Sequence, residues 1–263
     1  MTEQRYEKIG GKMRILYSED YYNMSRQAAN IVSAQIIAKP NSVLGLPTGT
    51  SPMGMYKQLI EWYKKGDLSF AKVKTLNLDE YKGFNKNHPN SYFRFMYDNL
   101  FKHVNIDLNN VHIPNGLNES IINECEKYNK IIELLGGIDL QILGIGHNGH
   151  IGFNEPGESL EKGTHCIKLS QSTKEANKRF FNNIDEMPNY AYTVGIKAIL
   201  QAKKILMVVN GGDKKHILLD AFFGPITPAI PASILQLHAN LVICGDKSSL
   251  EMIIDKFPLS VER

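Results

Sequence analysis

The sequence predicts an α/β protein with a mostly parallel, doubly wound sheet. Three observations point there. Short, wholly apolar runs recur along the chain, helical patterns lie between them, and several runs end in turns rich in glycine, proline or serine. Runs without polar alternation suit strands buried on both faces. Strand, helix and strand in repetition mean right-handed βαβ units, a Rossmann-like layout.

The elements follow in order. Residues 1–12 precede the first strand and read as an N-terminal extension. With no linker, repeat or low-complexity tract, 13–263 reads as a single domain. MRILY (13–17) is the first strand, and Met24, Ala28, Ile31 and Val32 then mark one face of a helix. SVLGL (42–46) is the second, and Pro52 stands ready to open the next helix, where its missing N–H costs nothing. VKTLNL (73–78) is followed by DEYKG. Ile121, Cys125, Tyr128, Ile132 and Leu135 align on another helix face and lead into DLQILGI (139–145). HCIKL (165–169), KILMVV (204–209) and LVICG (241–245) complete the strands. Residues 168–190 carry a polar helical pattern without a strong core face.

Bulk properties exclude several classes. Among 263 residues the charged fraction is 22% and the net charge +3, with basic and acidic residues interspersed. No basic stripe predicts nucleic acid. No apolar run is long enough to cross a bilayer, and the N-terminus has no signal-peptide core. The three cysteines, Cys125, Cys166 and Cys244, lie far apart with no CxxC spacing, so neither a disulfide framework nor a structural metal site is expected. Reduced thiols suit the cytoplasm.

In doubly wound sheets, ligands sit beyond the carboxyl ends of the strands. Four loops there hold most of the chemistry. PTGTSP offers Thr48, Gly49, Thr50 and Ser51 before a helix, where free N–H groups and the helix dipole favour an anion, although such turns are common without a ligand. NGGDKK adds Lys214, a mobile charge suited to phosphate; most lysines are simply solvated. DEYKG sets Asp79 after a strand, as a general base or, more commonly, as a cap; Glu80 then points the other way. GHNGHIGFNEP carries His150, which titrates near neutral pH, and Glu155 to orient it. Its glycines, Gly146 among them, let backbone approach a ligand, while nothing marks His147. These residues alone reach acid–base chemistry on a small phosphorylated molecule.

The stretches LGLPTGTSP, LNLDEY, HPNSYFRFM, LGIGHNGHIGFNEPG, ANKRFF and AYTVG resemble the glucosamine-6-phosphate deaminases, which are related to the 6-phosphogluconolactonases. The likeness runs from about Met13 past residue 245. It implies conversion of glucosamine 6-phosphate and water to fructose 6-phosphate and ammonia, without metal or organic cofactor. It implies His150 in ring opening, Asp79 as the carbon base, and Glu155 orienting His150. The phosphate would be held by Thr48 to Ser51, Lys214, and Arg179, the last from a mobile lid over roughly 168–190, whose polar helical pattern fits an adaptable cover. Asn148 stands where many members carry Asp, so charge on His150 must come mainly from Glu155. Relatives include monomers and hexamers, and the homo-oligomeric state is left open.

Some hexameric relatives are activated by N-acetylglucosamine 6-phosphate through two serines, an Arg and a Lys. The matching stretch here, GESLEKGTHCIKL, has Glu158, Ser159, His165 and Ile167 at those positions, with Lys168 turned to the other strand face. Loss of that response is expected. Two other readings are a lactonase, which LDEY with FNEP disfavours, and a sugar-phosphate-sensing regulator, which would need a DNA-binding module that the sequence lacks.

Overall fold

A computed structural model describes residues 13–178, 181, 183 and 186–262. Its main sheet is built from β1 (Arg14–Ser18), β2 (Val43–Leu46), β3 (Lys74–Asn77), β5 (Val111–His112), β6 (Leu140–Leu143), β9 (Ile205–Val209), β10 (Leu241–Asp246) and β11 (Val261–Glu262). Their order is β11-β1-β10-β9-β6-β2-β3-β5. Every pairing in it is parallel.

The helices divide between the two faces. α1 (Tyr21–Ala38), α2 (Met53–Lys65) and α3 (Tyr92–Asn99) cover one. α4 (Ile121–Leu134), α6 (Ile196–Leu200), α7 (Lys215–Phe223) and α8 (Lys247–Lys256) cover the other. β9 shows why its sequence is apolar throughout. Ile205, Met207 and Val209 face one core while Leu206 and Val208 face the other. Of the helix faces marked in the sequence, Met24, Ala28 and Val32 are buried on α1, and Tyr128 and Ile132 on α4. Ile121, in the first turn of α4, is exposed.

Three expectations change. The run 165–169 is not part of the parallel sheet: β7 (His165–Lys168) is half-buried and belongs to a small antiparallel sheet with order β4-β8-β7. β4 (Asp79–Tyr81) forms where a loop was expected, and β8 (Tyr190–Thr193) was not foreseen. Asp and Glu are poor strand formers, so pairing with β8, not local preference, makes β4 a strand. The segment expected to be a lid also has apolar anchors: Leu169, Phe181 and Met187 are buried in a third cluster with Tyr81 and Phe153. Its described helix is α5 (Gln171–Asn177), and Phe181 meets Tyr81 edge-on at 5.8 Å. The extension 1–12 lies outside the described residues.

Candidate active site

The strand order sets β9, β6, β2 and β3 side by side, so the loops after them share one edge. They line a cleft of about 440 Å³. Thr48, Gly49, Thr50, Ser51, Asp79, Gly146, His150 and Lys214 all border it. Arg179 lies outside the described residues.

The loop after β2 reverses at Gly49, whose φ of 93° favours glycine. Pro52 caps α2, and helical hydrogen bonding begins at Tyr56 N–H to Pro52 C=O. The loop is pinned from outside: Tyr21 donates its hydroxyl to Thr50 C=O at 3.0 Å. Ser51 Oγ donates to Asn210 Oδ1 at 2.7 Å, tying this loop to the one after β9. There Lys214 leads into α7, its side chain largely buried and 3.7 Å from Asp213.

Asp79 is buried at the start of β4, opposite Thr193 of β8. A Cβ on Gly152 would lie 3.5 Å from Asp79 Oδ2 and 2.9 Å from Thr193 Oγ1, so the glycine makes room for both. Burial, with the charge of Glu80 beside it, pushes the Asp79 carboxyl up to about 8. That is the range of a general base working near neutral pH.

Two side chains and a glycine fix the His150 ring. Its Nδ1 lies 2.7 Å from Asn148 Oδ1, and Asn148 Nδ2 donates to Glu155 Oε2 at 2.9 Å. A carboxylate only accepts, so it takes the amide N–H₂ and turns the amide oxygen to the ring. That oxygen requires a proton on Nδ1 and leaves Nε2 of the neutral ring as its basic nitrogen. The ring lies against Gly146, where a Cβ would fall 2.2 Å from the imidazole. Burial lowers the pKa of His150; the nearby Glu155 opposes that, while Lys214 and His147 add to it. The sequence-based view that Asn148 brings no charge stands, and the amide also relays Glu155 to the ring.

Several cleft residues were not singled out by sequence. His147, which nothing in the sequence marked, lines the rim and meets Asp213 Oδ2 at 2.5 Å, bridging the loops after β6 and β9. Tyr92, Thr173, Asn177 and Asn210 also line the cleft. Thr173 carries a weak signal: it stands three residues after Ser170, whose hydroxyl caps its N–H, so it falls in the first turn of α5. Among the described residues no group of three or more His, Cys, Asp or Glu is arranged to hold a metal.

Comparison with known proteins shows the family. The family model described as glucosamine-6-phosphate isomerases/6-phosphogluconolactonase matches residues 21–243. A glucosamine-6-phosphate deaminase of Lachnoclostridium phytofermentans is 56% identical over 88% of this chain and 99% of its own. One from Thermoanaerobacter pseudethanolicus is 50% identical over 93% of this chain and 96% of its own. A solved monomeric glucosamine-6-phosphate deaminase superposes with a TM-score of 0.89 at 40% identity, covering 91% of this chain and 100% of that one. A 6-phosphogluconolactonase from Thermotoga maritima shares the fold, with a TM-score of 0.70 at 21% identity, over 90% of this chain and 100% of that one. The chain belongs to the glucosamine-6-phosphate isomerase/6-phosphogluconolactonase family.

Proposed function

We propose that the chain is a glucosamine-6-phosphate deaminase, converting glucosamine 6-phosphate and water to fructose 6-phosphate and ammonia. One observation carries the reading: a buried carboxyl with raised proton affinity, Asp79, and an oriented imidazole, His150, share a cleft with two phosphate-suited loops. Relatives of that name at 50% identity or above support it.

In this reading the phosphate lies against Thr48 to Ser51 and Lys214, with Arg179 as a further ligand. His150, through Nε2, carries the proton between the anomeric hydroxyl and the ring oxygen, opening the pyranose. Asp79 removes the proton from C2 and returns it to C1, giving the ketose imine by way of an enolamine. Water adds at C2 and ammonia leaves. The protonated amino group of the substrate, brought beside Asp79, favours its ionised form in the complex. Free thiols at Cys125, Cys166 and Cys244 suit a cytoplasmic enzyme. Among the described residues no helix is long and apolar enough to cross a membrane.

The test is ammonia release from glucosamine 6-phosphate, set beside hydrolysis of 6-phosphogluconolactone. Ammonia release without lactone hydrolysis is expected; the reverse would replace this reading with a lactonase.

A further inference from the structure

We propose that Thr173 is a positioning residue, through which the helix covering the cleft sets the tautomer of His150. The proposal rests on the reading of His150 as an acid–base group.

The hydrogen bonds from His150 through Asn148 to Glu155 continue one step further. The other oxygen of Glu155, Oε1, accepts a hydrogen bond from the Thr173 hydroxyl. Four side chains thus run in one line from the ring to α5. Each fixes the next. The Thr173 hydroxyl holds Glu155 so that Oε2 faces Asn148, Glu155 claims the amide N–H₂, and the amide oxygen claims the proton on Nδ1. The far end thus acts on which ring nitrogen is left basic, beside the His150 backbone N–H that Asn148 Oδ1 also accepts at 3.2 Å.

Burial makes the last link matter. Thr173 is 2% exposed, and the Glu155 side chain is 8% exposed. A buried carboxylate that loses a donor turns toward another, and a lost bond to a charged group is felt strongly. α5 follows directly from the end of β7, where Leu169 N–H bonds Asn189 C=O at 2.9 Å. Thr173 and Asn177, one turn apart on α5, both face the cleft. Seating of α5 therefore delivers a donor to Glu155 at the moment it excludes water. The ring is set for chemistry when the site is covered.

Thr173→Val keeps the side-chain shape and removes the hydroxyl; Thr173→Ser keeps the hydroxyl. The ligand-free proteins are compared by ¹⁵N NMR of His150, assigned through His150→Gln, at a pH where the ring is neutral. Wild type and the Ser variant should hold the proton on Nδ1, and the Val variant should show a mixture of both tautomers. In steady state the Val variant should lose roughly 10-fold in kcat, with KM for glucosamine 6-phosphate within about twofold and the Ser variant recovering. Should Val not fold, as judged by circular dichroism, Thr173→Ala takes its place. An unchanged tautomer, or a Val variant within twofold of wild-type kcat, overturns the proposal. If wild type releases no ammonia, the functional reading fails, while the NMR comparison still decides the role of Thr173.

Discussion

Asp79 and Glu80 are chain neighbours that face two different cavities. Asp79 lines the cleft of about 440 Å³ with the phosphate-suited loops. Glu80 borders a second hollow of about 680 Å³ on the other side of β4. There its carboxylate accepts N–H bonds from Tyr81 and Tyr92 at 2.9 Å and from Phe93 at 3.1 Å. Burial still raises Glu80 to about 7, with those three donors pulling it back down. One carboxyl of the pair holds the start of α3 against β4, and the other is left for chemistry.

Asp79→Asn should lower kcat by at least ~10²–10⁴, because an amide cannot accept a carbon-bound proton. The same change should stabilise the fold at high pH. The folded pKa of about 8 lies above the ordinary 3.8, so the wild type loses stability as pH rises from about 4 through 8, and nothing is lost below. The Asn variant should melt higher than wild type at pH 9, by roughly 2–4 °C per kcal/mol, with the gap closing toward pH 4. Calorimetry at both pH values checks it.

The pH profile should carry the same signature. kcat/KM reports the free enzyme, so it should climb with pH until about 8, where Asp79 ionises. The acid limb of kcat should lie lower, since bound substrate brings a positive charge beside the carboxylate. Glu80→Gln removes the neighbouring negative charge and should move the kcat/KM limb down. An upward move would show that Asp79 is not the titrating group.

Lys214→Ala should act chiefly on KM for the phosphorylated sugar, raising it roughly 10- to 100-fold, the scale of a hydrogen bond to a charged group. Preference over unphosphorylated glucosamine should fall by a similar factor. Preference equal to that of wild type would remove Lys214 from the phosphate site.

His147→Ala should raise KM by no more than about fivefold, since exposed pairs contribute only ~0.2–1 kcal/mol. The direction follows from Asp213, which would lose its partner and remain 3.7 Å from Lys214, competing with phosphate. The difference should shrink in high salt.

Initial rates should be hyperbolic in substrate, and N-acetylglucosamine 6-phosphate should act only as a weak competitor. Glu158, Ser159 and Lys168 are exposed, and Ile167 packs toward the third apolar cluster. His165 Nδ1 bonds Gly163 C=O at 3.0 Å. A sigmoidal curve made hyperbolic by that compound would show an activator site in this segment.

The parallel sheet was legible because its strands are buried on both faces, as in VLGL and ILMVV, where apolar residues run without a break. The loops that border the cleft follow from that sheet. The small sheet was not legible: β4 is an Asp-Glu-Tyr tripeptide made a strand by a partner far along the chain. His147 was passed over because its partner, Asp213, comes from another loop, and no local pattern announces such a pair. Phe181 was not singled out because its ring partners, Tyr81 and Phe84, lie about a hundred residues away along the chain.

Thr193 has a consequence for the order in which the site comes into being. Its backbone pairs β8 with Asp79, its hydroxyl accepts Phe153 N–H at 3.0 Å, and the next residue, Val194, donates to Leu78 C=O at 2.7 Å. A nascent chain that has left the ribosome only as far as Glu155 already carries Asp79, Asn148 and His150, yet it lacks the strand that gives Asp79 its place and the helix that holds Glu155. During synthesis Asp79 has no strand partner until β8 emerges and pairs with β4. Nascent or truncated chains ending before β8 should therefore be inactive even though every acid–base residue is present.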